Sequence, residues 1–252
     1  MQDEDEFDRA MRSRTRVIKA PAVRRAELIE CAQRLFLAKG YERTTINDVI
    51  EATGLSKGAF YHHFRAKEEL LEAIAARFAE QAVAATQAVW DEDSLDALAR
   101  LNRLLAMNRQ WKADNIRPLT ALTSVLLRPE SATLYRRIID AVFPAIVPAL
   151  AELIAGGVRD GVFDVVHVGL TAETLLRLAE GRRLLVSEAM DVARHGDLDR
   201  ATAMMMSRMR AEEAMMDRLL GLAPGSIDLA GSEAFIRSLV AAWGEALGET
   251  GD

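Results

Sequence analysis

From residue 68 onward, apolar positions recur at helical spacing, three or four residues apart, and polar residues fill the positions between them. No segment there shows the sustained alternation of apolar and polar residues that a half-buried β-strand requires. Stretches with Gly, Pro, Asn or Asp interrupt the helical pattern and mark the ends of helices. The chain is therefore predicted to be an all-α protein.

Two short helices with a tight turn between them are predicted over residues 46–53 and 57–64. Thr45 is placed to accept a hydrogen bond from the first turn, and Asp48 would complete a capping box. Gly54 would end the first helix with a positive φ. Two helices joined by such a turn form a helix-turn-helix, whose second helix enters the major groove of DNA.

The second of these helices, which Ser56 would cap, has two different faces. Phe60 and Phe64 stand four residues apart and should pack inward. Gly58 lies inside this helix, where a glycine costs about 1 kcal/mol of stability relative to alanine. Close approach of the helix backbone to a base pair would explain why a glycine is present. A tyrosine at helical spacing is otherwise most often a core residue. The face opposite the phenylalanines carries Lys57, Gly58, Tyr61 and His62.

Residues 24–67 resemble the DNA-binding domain of the tetracycline-repressor (TetR-type) family of transcriptional regulators. The matching landmarks are LFLAKGYERTT, INDVIEATGLS and SKGAFYHHF followed by KEEL. Family members commonly carry Tyr where this chain has His62. The resemblance implies that base edges are contacted by Ser56, Lys57, Gly58 and His62. It implies that the phosphate backbone is contacted by Thr45, Tyr61, His63 and Lys67.

The resemblance also implies a homodimer held by a four-helix bundle, with a small-molecule cavity among the middle helices of each subunit. The helices predicted over 168–190 and 232–247 are the candidates for that bundle. The Met-rich helix over 200–219 would be an insertion, interpreted as an arm over the other subunit. The apolar, Met-containing middle helices favour a hydrophobic or amphipathic effector.

The predicted organisation is a flexible tail over 1–21, a helix-turn-helix domain over 22–67, and a helical effector-binding and dimerisation domain over 68–252. Residues 12–70 carry 12 Lys and Arg against 7 Asp and Glu, although the whole chain has a net charge of −6. This local positive field would attract a phosphate backbone. The tail is either a solvated segment or an arm for the minor groove. Its basic residues are Arg12, Arg14, Arg16 and Lys19.

In the C-terminal part, one long helix is predicted over 67–90 and another over 168–190. A shorter helix should open after Asn115. The helix over 130–158 contains Pro144 and Pro148 and should bend there. About six helices are expected in this domain.

Several residue groups offer other chemistry. The methionines between 204 and 216 form either a soft-metal site or a pliable packing surface. Adjacent histidines cannot both face one metal ion from a helix, because neighbours point about 100° apart. His167 and His195 have no evident catalytic partner, so neither an enzyme nor a cofactor is predicted. Glu173, Arg177 and Glu180 form either an ion-pair row or a contact for a polar ligand.

The single cysteine, Cys31, excludes an intrachain disulfide and should be a buried, inert thiol on the first helix. No run approaches the ~18 apolar residues of a membrane span, and the acidic start is unlike a secretory signal. A cytoplasmic protein without membrane contact is expected.

Taken together, these features predict a ligand-responsive repressor that binds a palindromic operator as a homodimer. Its partners would be double-stranded DNA, a second copy of the chain and a small-molecule effector. The alternative is a helical dimerisation or scaffold protein without sequence-specific DNA binding.

Overall fold

The computed structural model describes residues 20–85, 89, 92 and 94–248. The basic tail residues proposed as a minor-groove arm lie outside these described residues. Helices occupy most of the described chain, and no strand occurs within it. The all-α prediction is confirmed.

Three helices form the N-terminal domain. They are α1 (Pro21–Lys39), α2 (Ile46–Thr53) and α3 (Lys57–His63). Pro21 lies in the first turn of α1, where its missing N–H leaves no hydrogen bond unmade. The helix-turn-helix boundaries match the sequence expectation to within one residue, because capping residues determine them locally.

Eight helices follow in the described part of the chain, where about six were expected. The first four are α4 (Lys67–Ala84), α5 (Ala97–Asp114), α6 (Ile116–Leu126) and α7 (Ala132–Arg159), the last preceded by a 3-10 turn over Pro129–Ser131. The remaining four are α8 (Val168–Glu180), α9 (Arg183–Arg194), α10 (Leu198–Leu219) and α11 (Glu233–Gly248).

The prediction of one continuous helix over 168–190 is wrong, because this segment forms two helices. The chain turns at Gly181 and Arg182, between α8 and α9. The apolar periodicity continues through this turn, so the local pattern gives no sign of it. Tertiary contacts of Arg182 and Arg183, described below, accompany the break. The predicted helix over 67–90 is observed as α4, which ends at Ala84.

The bend predicted in the helix with two internal prolines is confirmed. The two halves of α7, up to Pro144 and from Ile146, meet at 44°. Proline removes a helical hydrogen bond and crowds the preceding turn, so the helix bends there. In the described chain, no individual helix has the length and apolarity of a membrane span; only the two halves of α7, taken together, do so by length and composition.

One continuous core joins the N-terminal domain to the helices that follow it. Phe60 and Phe64 are buried together with side chains of α1, and Leu70 and Phe78 of α4 extend the same cluster. Leu126 of α6 belongs to it as well. Cys31 is buried in this core as a free thiol, as predicted. The N-terminal domain is therefore packed directly on α4 and α6.

The Met-rich helix α10 lies inside the subunit, where it packs against α9 and α11. The interpretation of this helix as an arm over another subunit is therefore wrong. The packing-surface alternative is confirmed for the methionines that are buried here. They are Met205, Met206, Met209 and Met216. Unbranched thioether side chains fill irregular gaps between helices.

Candidate nucleic-acid interface

A capping box fixes the start of α2. The Thr45 hydroxyl accepts a hydrogen bond from the Asp48 backbone N–H at 3.1 Å, and the Thr45 N–H donates to the Asp48 carboxylate at 2.7 Å. Lys39 forms an ion pair with the same carboxylate at 2.8 Å. The hydrogen bond from Lys39, followed by those from Thr45, lowers the pKa of Asp48 to about 2. The box predicted from the sequence is therefore complete.

The turn after α2 sets the direction of α3. Gly54 has a φ of +66°, a left-handed conformation that side chains with a Cβ rarely adopt. The Ser56 hydroxyl then accepts a hydrogen bond from the Ala59 N–H at 3.2 Å and caps α3. Buried Thr44 donates to the Gly40 carbonyl at 2.8 Å and holds the preceding loop. The helix-turn-helix is thus fixed by short-range hydrogen bonds.

The face of α3 that points away from the core is exposed. Phe60 and Phe64 are buried beneath this helix, while Tyr61 retains 43% of its surface and packs only edge-on against Phe60. The alternative that Tyr61 is a buried core residue is therefore wrong. The other exposed residues on this side are Ser56, Lys57, Gly58 and His62, and Thr45 at the start of α2 is exposed as well. Their contacts with DNA stay predictions.

Gly58 has open space where a side chain would begin. A Cβ built at this position meets no atom within 4 Å. The backbone is helical and not in the left-handed region, so neither local packing nor conformation demands glycine. A requirement for close backbone approach by a ligand outside the subunit would account for it.

His63 is only partly exposed and sits beside other cationic groups. Its ring meets the His62 ring at 5.1 Å between centroids. Partial burial, then the neighbouring His62 and Arg25, lowers the pKa of His63. The lowered pKa favours the neutral imidazole of His63, whose N–H can donate a hydrogen bond to a phosphate.

Lys67 is held against the loop between α1 and α2. Its ammonium donates to the Tyr41 carbonyl at 2.9 Å and lies 4.1 Å from the centre of the Tyr41 ring. Burial, followed by Glu68 and Glu42, raises the pKa of Tyr41, so its hydroxyl stays protonated at physiological pH. The ammonium also donates to the Glu42 carbonyl at 3.5 Å, and because it has three N–H donors, one remains for a phosphate.

Sequence reasoning missed Arg25 as a member of this surface. Its guanidinium lies 5.0 Å from the centre of the Phe64 ring, and the side chain is exposed next to His63. Arg25 had been counted only in the net charge of the region. The signal that could have identified it is its position on α1, three residues before buried Leu28 and so beside the helix-turn-helix core.

The other candidate chemical groups of the sequence have structural partners. His167 caps α8 by accepting the Leu170 N–H at 3.1 Å, and His195 contacts the Asp191 carbonyl. Arg177 and Glu180 form an ion pair at 2.8 Å, as the ion-pair alternative predicted. Across the described chain, no three His, Cys, Asp or Glu side chains come together as a metal site would require.

Residues 28–74 match the family described as bacterial regulatory proteins, tetR family. This match spans α1 to α3 and the first turns of α4, the region whose geometry is given above. This N-terminal segment of the chain is therefore similar to the tetR family.

Similarity to individual curated relatives covers about a third of this chain or less. The chain is 38% identical to the HTH-type transcriptional regulator TtgR of Pseudomonas putida over 81 residues, which are 32% of this chain and 39% of TtgR. It is 47% identical to the HTH-type transcriptional repressor AcnR of Corynebacterium efficiens over 64 residues, 24% of this chain and 34% of AcnR. The matched segments thus span less than two-fifths of the length of these relatives.

The fold of a tetR-family crystal structure extends over most of the chain. A TetR-family transcriptional regulator from Syntrophomonas wolfei superposes with a TM-score of 0.53 at 19% identity, covering 91% of this chain and 97% of that one. At this identity the likeness concerns the fold alone. This chain therefore shares with that structure the architecture of an N-terminal helix-turn-helix followed by a helical domain.

Proposed function

We propose that this tetR-family protein is a DNA-binding transcriptional repressor that binds a palindromic operator as a homodimer and responds to a small molecule. The observation that carries the proposal is the exposed face of α3. It presents Lys57, Gly58 and Tyr61 to solvent on a capped helix whose opposite face is anchored by buried Phe60 and Phe64. A rigid, polar recognition helix of this kind fits the major groove.

The residues on this surface divide into two roles. Ser56, Lys57, Gly58 and His62 would meet base edges, where hydrogen bonds read the sequence. The phosphate backbone would be contacted by Thr45, Tyr61, His63 and Lys67, to which the structure leads us to add Arg25. Phosphate contacts position the protein and make its affinity depend on salt. The two recognition helices of a dimer would lie about 34 Å apart, one turn of DNA.

Contacts between the domains support a mechanical link from effector to DNA. Helix α4 packs against α7, and Arg137 of α7 forms an ion pair with Glu72 of α4 at 2.7 Å. Helix α6 packs against α1. A ligand that favours another arrangement of α6 and α7 would move the DNA-binding module and shift the population away from the DNA-bound state.

The described structure favours α8 and α9 as the dimerisation surface. Leu170 of α8 and Leu184 of α9 are 62% and 77% exposed. Helix α11, the other bundle candidate, buries Ile236 and Trp243 against helices of its own subunit. Its apolar face is therefore already occupied, and the surface with exposed leucines is the better candidate for the two-fold contact.

Selection from a library of random duplexes, followed by fluorescence anisotropy, tests DNA recognition. The purified protein is expected to enrich an inverted repeat with half-sites about one helical turn apart. Lys57→Ala should reduce the preference for that repeat over random DNA. Arg210→Ala, at an exposed position of α10, is the matched control and should retain it. Equal affinity for every duplex would favour the scaffold alternative.

Light scattering and a thermal-shift screen test the two finer parts of the proposal. We expect the mass of a dimer in solution, and of a monomer after both Leu170 and Leu184 are replaced by Lys. A native-state ligand should raise the apparent Tm and weaken operator binding. A monomeric wild-type protein would contradict the palindromic mode of binding.

A further inference from the structure

A cleft of about 480 Å³ lies between α5 and the segment that joins α10 to α11. Its volume falls within the range of about 300–1,000 Å³ that is usual for small-molecule sites. The wall on α5 consists of Ala106, Arg109, Gln110 and Ala113, and the opposite wall consists of Asp228, Gly231, Ser232 and Phe235. The cleft is separate from the exposed face of α3 and is large enough for a small molecule.

The joining segment that forms the second wall is fixed by side chains of α5 and α10. Buried Asp217 of α10 accepts hydrogen bonds from two backbone N–H groups of the segment, at 2.7 and 3.0 Å. Glu213 accepts from two more, at 2.9 and 2.8 Å. Asn102 of α5 donates to a backbone carbonyl of the segment at 2.7 Å and accepts from an N–H at 2.9 Å. This wall is therefore preorganised, and a ligand would not have to order it on binding.

An ion pair crosses the cleft from one wall to the other. The Arg109 guanidinium donates to the backbone carbonyl of Asp228 and, at 2.7 Å, to its carboxylate. Gly231, with a φ of +67°, lies so close that a Cβ there would be 2.7 Å from the Arg109 Nε. Arg109 and Asp228 are the charged residues among those that line the cleft, and their charges neutralise each other. The lining therefore favours neither an anion nor a cation.

The remaining polar groups of the cleft are neutral and can both donate and accept hydrogen bonds. The exposed Gln110 amide donates to Asp114 at 2.9 Å, which leaves its oxygen and its second N–H for a ligand. The Ser232 hydroxyl accepts the Phe235 N–H at 3.1 Å and keeps its own hydrogen to donate. Phe235, which is partly exposed, adds an apolar surface to the same cleft.

Hydroxyl groups match such a lining, because each of them can donate and accept a hydrogen bond. An uncharged sugar carries several hydroxyls on a ring whose C–H groups can pack against an aromatic side chain such as Phe235. A purely apolar molecule would leave the polar groups of Gln110 and Ser232 without partners.

We infer that this cleft binds an uncharged polyhydroxylated molecule of the size of a monosaccharide. The assignment rests on the proposed function, because it names the chemical class of the effector. This class differs from the hydrophobic effector favoured by the apolar helix pattern, since polar side chains line both walls of the cleft. Helix α11 begins at the cleft and packs against α6, which packs against α1 of the N-terminal domain. A ligand that holds α5 and the start of α11 together thus acts on α6.

Saturation-transfer NMR and thermal shift on the full chain without DNA test the site. The probes are glucose, galactose, mannose and xylose, with glucuronate and glucosamine as charged comparison compounds. At least one neutral sugar should bind the wild type and raise its Tm, at least fivefold more tightly than either charged compound. Binding of no neutral sugar, or tighter binding of glucuronate or glucosamine, would overturn the assignment.

Variants at the cleft locate the binding. Gln110→Met keeps the length of an exposed side chain and removes its amide, so it should weaken sugar binding at least fivefold without lowering the Tm of the free protein. Ala113→Met fills part of the cleft and should weaken binding as well. Gln81→Met makes the same change as the first variant at an exposed position of α4 and should leave binding intact. Wild-type sugar affinity in both cleft variants would place the binding elsewhere and overturn the site.

Operator selection, measured separately, keeps this site distinct from the proposed function. Selective DNA binding without sugar binding would remove only the site. Sugar binding by a protein that does not select DNA would remove only the regulator function. A sugar that occupies the cleft without changing operator affinity would overturn its role as the effector.

Discussion

The guanidinium of Arg128, just after α6, lies 2.6 Å from the carboxylate of Glu42, in the loop between α1 and α2. The pair therefore joins the C-terminal helical domain to the helix-turn-helix domain across 86 positions of sequence. Both side chains are substantially exposed, at 36% and 62%. Exposed ion pairs contribute about 0–1 kcal/mol to stability. Arg183 donates a hydrogen bond to the backbone carbonyl of Arg128 at 3.0 Å, so contacts run from α9 through Arg128 to Glu42.

Breaking this ion pair should uncouple effector binding from DNA binding with little change in stability. Arg128→Met and Glu42→Gln should each change the free energy of unfolding by less than about 1 kcal/mol. Each should reduce the loss of operator affinity caused by a small-molecule effector found in the thermal-shift screen, and the double variant should reduce it no further. Denaturant unfolding and anisotropy titrations measure the two effects. An undiminished effector response in both single variants would contradict this coupling.

Gly58→Ala should stabilise the protein and weaken DNA binding. Open space surrounds the position and its backbone is helical, so alanine should add about 0.5–1 kcal/mol through helix propensity. The new methyl group would face the base edges and lower operator affinity. Gly54→Ala is the matched control, since its φ of +66° should make alanine destabilising by about 1 kcal/mol or more. Undiminished operator affinity in Gly58→Ala would exclude close approach of the DNA bases to the backbone at this residue.

Lys57→Ala and Lys67→Ala should separate sequence reading from phosphate contact. Lys57 is exposed, so its replacement should change stability by less than about 0.5 kcal/mol and reduce discrimination between duplexes. Lys67 contacts Tyr41, so its loss should cost about 1 kcal/mol of stability. Lys67→Ala should weaken binding to all duplexes alike. It should also reduce the slope of log affinity against log salt concentration by about one, the amount expected for one lost phosphate contact. An unchanged salt slope would assign Lys67 a purely structural role.

The charge on Lys112 should make stability rise between pH 7 and pH 10. Its pKa is about 8 in the folded protein and 10.5 ordinarily, so above pH 8 the unfolded chain retains a proton that the folded protein has released. The free energy of unfolding therefore increases with pH in this window. Relative to Lys112→Met, the wild type should gain on the order of 3 kcal/mol at most. Denaturant unfolding at several pH values measures this, and a pH-independent difference between the two proteins would contradict it.

The helix-turn-helix could be predicted from sequence almost residue by residue. Thr45, Gly54 and Ser56 act on backbone groups within three residues of themselves, so local chemistry decides where α2 and α3 begin and end. The burial of Phe60 and Phe64 followed from helical periodicity for the same reason. Local interactions therefore determine the secondary structure of this region.

The C-terminal domain was less predictable because its decisive contacts join distant residues. The break at Gly181 and Arg182 interrupts a periodic apolar pattern, and Arg182 there pairs with Glu212, thirty residues along the chain. The Met-rich pattern of α10 was compatible with a projecting arm or an internal helix, and packing against α9 and α11 selected the internal position.

The amino-acid sequence by itself determined the all-α class, the helix-turn-helix and the outward face of α3, because these depend on periodicity and on caps a few residues away. Tertiary structure alone decided that Lys112 lies near Arg182, that Arg128 meets Glu42, and that α11 is packed inside its subunit. The physical reason is the separation along the sequence of the residues that interact. Charge pairing and helix packing depend on which surfaces contact each other in the folded protein. A local sequence pattern is compatible with many such tertiary arrangements.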